Sequence, residues 1–181
     1  MNRAAPHNMY FVAIVCPPEI NDKVLQYKNW MRDRFGCIVA LKSPAHITLV
    51  PPFWLEASNE EQLLRTLEQF AGNSTEVEIH LNGFSHFGNR VIFINVTNTP
   101  LLDELKRRTE DHFSQAFAGL IKKDERPFHP HVTIANRDLK PAAFDQAWEY
   151  FSRQEFVAIF NTKAIAILKA VDGKWLVVSG K

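Results

Sequence analysis

Cysteine is scarce: Cys16 and Cys37 are the only two in 181 residues. Both sit in apolar runs, with neither metal-ligand spacing nor the density of a disulfide scaffold, so they read as buried free thiols suited to a reducing compartment. An excess of charge of one sign is missing too. A net charge of +1 argues against a protein that grips long nucleic acid through counterion release, because such proteins carry a clear basic surplus. A short substrate or an RNA end stays open. No run approaches the roughly 20 apolar residues that span a bilayer, and Met1–Asn8 lack the hydrophobic segment of a signal peptide. These absences predict a cytoplasmic protein with no membrane partner, in which residues 1–8 form a flexible tail and residues 9–181 a single two-lobed domain. The hydrophobic content of 46% is enough for one sizeable core, or for two small lobes sharing one.

Hydrophobic patterning orders the chain. Tyr10–Val15 is a compact run of strand formers ended by Pro17-Pro18, and it predicts a buried strand. Ile20, Val24, Met31 and Phe35, with Leu25 beside them, mark one side of a helix that Gly36 closes. Cys37–Leu41 is strand-like. After the Ser43-Pro44 break, His46–Val50 predicts a second strand, stopped by Pro51-Pro52. Ser58 and Glu61 make a capping-box pattern ahead of Leu63, Leu64, Leu67 and Phe70, with Gly72 at the helix end. Val77–Phe87 and Val91–Val96 read as strands joined by a Gly88-Asn89 turn.

The second half repeats that order. From the Val91–Val96 strand, Thr99-Pro100 opens a helix carrying Leu101, Leu105, Phe113 and Phe117, and a charged stretch leads to a strand at His131–Ala135. Pro141–Phe151 predicts another helix. Phe156–Leu168 and Trp175–Val178 predict two closing strands around an Asp172-Gly173 turn. The pattern is that of a diverged internal duplication. Its two histidine-bearing strands begin 85 residues apart, too far for a solenoid repeat but suited to two similar lobes facing each other.

Two tetrapeptides occupy equivalent places in these halves: His46-Ile47-Thr48-Leu49 and His131-Val132-Thr133-Ile134. On a strand, residues two apart share a face, so each strand presents one imidazole and one hydroxyl about 7 Å apart on one side while the aliphatic pair enters the core. Imidazole accepts and donates protons near neutral pH, and a hydroxyl donates a hydrogen bond to a phosphoryl oxygen. Two such strands facing each other make a phosphate cradle in which one histidine activates water and the other protonates a departing ribose oxygen, with no metal formally required. A single histidine on an alternating strand is more often structural than catalytic. Two with the same four-residue chemistry, among seven histidines in the chain, favour the catalytic reading.

At these residues the sequence resembles the two-histidine phosphoesterase superfamily, and within it the 2′-5′ RNA ligase-like branch. The resemblance covers most of the chain. Tyr10–Pro18 is similar to the family's opening strand and proline turn, His46–Phe53 to its first signature and Phe128–Ala135 to its second. It implies an α+β, bilobal, duplicated fold with two mostly antiparallel sheets lining a central cleft and helices outside. It also implies His46 and His131 as acid and base, Thr48 and Thr133 as phosphate-binding hydroxyls, and no cofactor. The implied activity is metal-independent hydrolysis of a 2′,3′-cyclic phosphate, or reversible formation and cleavage of a 2′-5′ linkage, on an RNA end or a small nucleotide. The competing class is a non-catalytic module that holds a nucleotide or RNA end in the same cradle, although binding alone does not require two proton-transfer groups.

Other residues carry weaker signals. His129 lies two before His131 and invites a zinc site with His46 and His131. Pro130 between the two, and the lack of a nearby acidic partner, favour a loop residue and no metal. Phe53, Trp54 and Phe128 are candidates to stack a base at the cleft rim, against an ordinary role in packing. His86 is a candidate to line the cleft with Phe84 or Phe87, against a half-exposed strand residue. Lys42, Arg126 and Arg137 flank the motifs and are placed to meet a phosphate, or simply solvent. Lys106-Arg107-Arg108, among acidic neighbours on a helix, read as a solvated face.

Overall fold

The computed structural model describes residues 6–71 and 75–180. Strand β1 (His7–Val15) leads into helix α1 (Pro18–Phe35). Proline at N1 starts the helix where its missing N–H costs nothing. Gly36 ends it in the left-handed region (φ 71°), its N–H donating to the Arg32 carbonyl, a conformation a side chain would disfavour. Ile20, Val24 and Met31 are buried as the spacing predicts, while Leu25 faces solvent. Strand β1 takes in His7 and Asn8, which pair with Glu56 and Leu55, so these two residues belong to the sheet and not to the expected tail. Residues 1–5 lie outside the described residues, as does Gly72, the expected end of the next helix.

Cys37–Leu41 is not a strand. Its second part forms a 3-10 turn, Val39–Lys42, held by the Asp138 carboxylate, which accepts the N–H groups of Ile38 (2.6 Å) and Val39 (2.8 Å). Strand β2 then runs His46–Glu56, through the prolines expected to stop it. It is the edge of its sheet, and its pairing with β1 slips between Tyr10↔Phe53 and Val12↔Val50, leaving Pro51 and Pro52 in a bulge where no ladder N–H is needed. Helix α2 (Glu60–Ala71) follows a short 3-10 turn, Ala57–Asn59. The capping box does not form: the Ser58 hydroxyl donates to Glu56 instead (3.4 Å).

Strands β3 (Val77–Phe87) and β4 (Val91–Val96) form the predicted hairpin. Helix α3 (Pro100–Ala116) is capped by the Thr99 hydroxyl, which accepts from Leu102 N (3.2 Å). Leu102 rather than Leu101 enters the core. Strand β5 (His131–Ala135) and helix α4 (Pro141–Phe151) have the predicted ends. The tail of the chain makes three strands where two were predicted: β6 (Val157–Thr162), β7 (Ala166–Val171) and β8 (Lys174–Gly180). The last two are joined at Asp172-Gly173, both with positive φ (47° and 76°), as a tight two-residue hairpin requires.

The fold is α+β, with two four-stranded antiparallel sheets ordered β2-β1-β7-β8 and β5-β4-β3-β6. The orders correspond strand for strand when β1 is laid on β4 and β2 on β5, so the duplication read from the sequence is present. Each sheet borrows from the other half: β3 joins β4, and β7 and β8 return to β1. The edge strands β2 and β5 meet, α1 packs on β5 and α3 on β2. Tyr10, Val12 and Ile14 point into the main core, which draws on both halves. Phe11 and Ala13, on the opposite face of β1, make a small second cluster with Ala166 and Leu168. That second face is the one against which the His46 ring rests. Cys16 and Cys37 are buried free thiols, and among the described residues no helix is long and apolar enough to cross a membrane.

Candidate active site

Strands β2 and β5 alternate as the motifs require. Ile47, Leu49, Val132 and Ile134 are fully buried, while His46, Thr48, His131 and Thr133 are partly exposed on the other face. The two imidazoles are held alike. His46 Nδ1–H donates to the Pro44 carbonyl and His131 Nδ1–H to the His129 carbonyl, both at 2.7 Å and both two residues upstream. Each bond selects the tautomer that leaves Nε2 without its proton and free to accept one. Each ring also rests on an aromatic floor, His46 against Phe11 (centroids 4.8 Å apart) and His131 against Phe93 and Phe87 (5.1 Å each). Neither threonine hydroxyl has a hydrogen-bond partner among the described residues, so both donors are available.

Burial disfavours the charged imidazole and dominates both titrations. It pushes His46 down to about 4; the bond to Pro44 opposes the shift, and the Lys28 ammonium and His131 add to it. The two histidines lie on β2 and β5, the edge strands that meet. His131 is lowered as well, first by burial, with the His129 carbonyl opposing and the His129 ring adding.

Two cavities open on this face. One, of about 510 Å³, is lined by His46, Thr48, Thr133, Lys42, Arg137 and Trp175 among others. The second, of about 540 Å³, is lined by Thr48, His131, Phe87, Phe128, Lys106 and Arg126. Thr48 borders both, so the motif side chains stand at the waist of one cleft. Lys42 and Arg137 have no ion-pair partner among the described residues, whereas Arg126 grips Asp124 through Nε (2.9 Å) and Nη2 (2.7 Å). That pairing holds the Asp124 carboxyl down to about 2.

The chain's residues 17–174 match the model of the 2′-5′ RNA ligase superfamily. The chain belongs to that superfamily, a branch of the two-histidine phosphoesterases. A Bacillus pumilus (strain SAFR-032) protein named "Putative phosphoesterase" is 29% identical over 117 residues, which span 64% of each chain; the match thus covers under two thirds of that relative's length. Among solved structures, Escherichia coli LigT complexed with 3′-AMP superposes with a TM-score of 0.68 at 18% identity, covering 97% of this chain and 98% of that one. The Thermus thermophilus protein TT0787 superposes at 0.64 with 17% identity, covering 95% and 96%. At such identities the likeness is one of fold.

Within this superfamily member, the weaker candidates divide. Lys42, Arg126, Phe128 and Arg137 line the cleft. Phe53 does not: because β2 continues past its prolines, alternation resumes and carries Phe53 into the core, stacked on Tyr10 at 6.2 Å. Trp54 points the other way, is 58% exposed and lines neither cavity. His86 packs on Trp148 (4.6 Å) and Phe144 (5.2 Å) of α4, outside the cleft. Phe84 is packed on Tyr27 and Phe151, so of these three residues Phe87 alone reaches the cleft. His129 lines it too, but among the described residues no three potential ligands converge as a metal site requires.

Sequence reasoning missed Phe11, Lys106 and Trp175. Lys106 is not on the solvated face with Arg107; it is buried, paired with Glu110 at 2.8 Å and lies over the Phe128 ring. The one signal for it was its place on the inner side of the α3 periodicity, one residue after Leu105. Trp175 comes from the closing hairpin, to which no motif points.

Proposed function

We propose that this chain is a phosphodiesterase that opens 2′,3′-cyclic phosphates on RNA ends or small nucleotides, with His46 and His131 as its acid-base pair. The observation that carries the reading is the matched restraint of the two imidazoles, each tied back through Nδ1 and left with Nε2 free beside an unengaged threonine hydroxyl. His86 is likewise tied through Nδ1, to the Gly88 carbonyl at 2.8 Å; what sets His46 and His131 apart is the threonine hydroxyl two residues on along the same face of each strand.

In the proposed reaction the cyclic phosphate lies between the imidazoles. One imidazole takes a proton from water, the water oxygen bonds to phosphorus, and one phosphorus–oxygen bond to the ribose breaks as the other imidazole gives its proton to the departing oxygen. Atoms and charge balance without a redox partner. Thr48 and Thr133 donate to the phosphoryl oxygens, while Lys42 and Arg137 offset their charge. Both histidines are depressed in the free protein, so the donor gains its proton through the substrate's own negative charge, which raises the pKa of a neighbouring imidazole. With the 5′-hydroxyl of a second ribose in place of water, the same transfers form a 2′-5′ linkage, and run backwards they cleave it to the cyclic phosphate; in water, hydrolysis is favoured.

A nucleotide substrate fits the aromatic wall of Phe87 and Phe128 beside His131, where a base can stack. It also accords with the ligands of LigT, whose fold this chain shares and which has been seen complexed with 3′-AMP, ATP and NADP+. The test is steady-state turnover of 2′,3′-cyclic nucleotides and 2′-5′ linked dinucleotides in excess chelator. Persistent hydrolysis supports the reading. Loss on chelation with recovery on adding zinc would transfer the chemistry to a metal, and binding without turnover would leave a phosphate-holding module.

A further inference from the structure

Beside the cleft lies a third cavity, of about 230 Å³, between α1, the 3-10 turn and the start of β8. It shares Lys42, Ser43, Lys174 and Trp175 with the His46 cavity, so the two adjoin. Lys28, Lys42 and Lys174 line it and no aspartate or glutamate does. Among the described residues none of the three lysines has a carboxylate partner.

Lys28 is the unusual member. It is 3% exposed, and of its three ammonium donors one is used, toward the Ser43 carbonyl at 3.0 Å. Its buried neighbours do not offset its charge. Cys16 is pushed up to about 12 and stays a neutral thiol, and His46 is neutral at pH 7. The cost of this uncompensated burial is seen in Lys28 itself, whose ammonium is brought down to about 8. Buried cations are ordinarily paired or replaced by apolar residues, so an ammonium kept at the wall of an acid-free cavity points to an anion that arrives with a ligand.

We propose that this cavity is a second phosphate subsite, which takes the phosphate on the 5′ side of the nucleotide whose cyclic phosphate is held between His46 and His131. The proposal rests on that reading of the site and adds to it the substrate class: a nucleotide bearing a second phosphoryl group, rather than a nucleoside cyclic phosphate alone. A single ribose carries both groups, and the two cavities adjoin along Lys42, Ser43, Lys174 and Trp175, which suits one ligand reaching from one to the other.

Equilibrium binding separates this from catalysis, because it needs no turnover. Adenosine 2′-phosphate and 3′-phosphate are compared with their 5′-phosphorylated counterparts and with the dinucleotide ApAp, by calorimetry at fixed ionic strength. The added phosphate is expected to tighten binding about tenfold, the worth of one well-placed charged contact. In Lys28→Met and Lys174→Ala that ratio is expected to fall to about twofold or less. An ApAp advantage equal to that of the bisphosphate would assign the subsite to an RNA phosphodiester; an advantage for the bisphosphate alone would assign it to a terminal 5′-phosphate. The Lys28 ammonium, followed by NMR in the unmutated protein, is expected to titrate above its free value when the bisphosphate is bound. No 5′-phosphate advantage, or an advantage and a Lys28 titration unchanged by these variants and ligands, would overturn the subsite. Failure to hydrolyse cyclic phosphate with the advantage intact would overturn the proposed reaction and leave the subsite standing.

Discussion

The Asp138 carboxylate accepts the amide N–H of Val39 at 2.8 Å, across 99 residues of sequence, and so ties the turn that precedes His46 to the loop that follows His131. The same oxygen accepts Ile38 N–H at 2.6 Å. Through Lys42, Ser43 and Pro44 this turn leads to the carbonyl that orients His46. Removing the carboxylate strands two N–H groups and frees the turn. Asp138→Ala is therefore expected to lower stability by about 2–3 kcal/mol in chemical denaturation and to reduce kcat/KM under conditions where the protein is still folded. Asp138→Asn, which keeps an acceptor, should recover much of both. An alanine variant as stable and active as wild type would mean that the tie is incidental.

His46 makes stability depend on pH. Its folded pKa is about 4 against an ordinary 6.5, so between those values the unfolded chain binds a proton that the native state refuses. Stability is then greatest above pH 6.5, falls as pH drops through that window, and stops falling from this cause below about 4. The expected loss from His46 is on the order of 2–3 kcal/mol. It is read as the difference in unfolding free energy between wild type and His46→Gln at pH 7 and at pH 4, which cancels the carboxylates common to both. A difference that does not change with pH would contradict the burial of this imidazole.

Both imidazoles are depressed in the free protein, and the pH profile of kcat/KM reports the free enzyme. Its alkaline limb is expected below the ordinary histidine pKa of about 6.5. The profile of kcat, which reports the complex, should have that limb displaced upward, because the bound phosphodiester anion favours the protonated donor. Coincident profiles for kcat and kcat/KM would count against a proton held by substrate charge.

Much of this arrangement was legible in the sequence, and the failures share a cause. The paired His-x-Thr strands, the ends of β5 and α4 and the α1 stop at Gly36 follow from periodicity, proline and glycine, which act locally. Cys37–Leu41 has a strand's composition, yet its amides bond to Asp138, about a hundred residues away, and no local rule sees such a partner. Pro51-Pro52 signal a strand end correctly in a central strand. On the edge strand β2 they fit a bulge, and misjudging them put Phe53 at the cleft rim when the resumed alternation sends it to the core. Lys106 reads as solvated because its helix is highly charged. Which charged positions face inward, Lys28 of α1 among them, is set by the sheet packed beneath each helix.

The threonines separate ground-state binding from catalysis. Their hydroxyls are unengaged in the free protein and are proposed to bond phosphoryl oxygens whose charge grows toward the transition state. Thr48→Ala and Thr133→Ala are each expected to lower kcat by roughly 10- to 1,000-fold, bounded above by the usual worth of an oxyanion donor, with smaller changes in KM. Serine at either position should restore most of the rate. A rise in KM with kcat unchanged would instead assign the hydroxyls to uniform binding.

The acid-base pair itself is tested most directly by single-turnover hydrolysis of a 2′,3′-cyclic nucleotide in excess chelator, with wild type, His46→Ala, His131→Ala and the double variant, each checked to be folded. Each single variant is expected to be slower by roughly 10² to 10⁴-fold. Because the two groups act as a unit, the double variant should be little slower than the poorer single one. Near-normal rates in either single variant, or losses that multiply in the double, would contradict a shared proton-transfer step between His46 and His131.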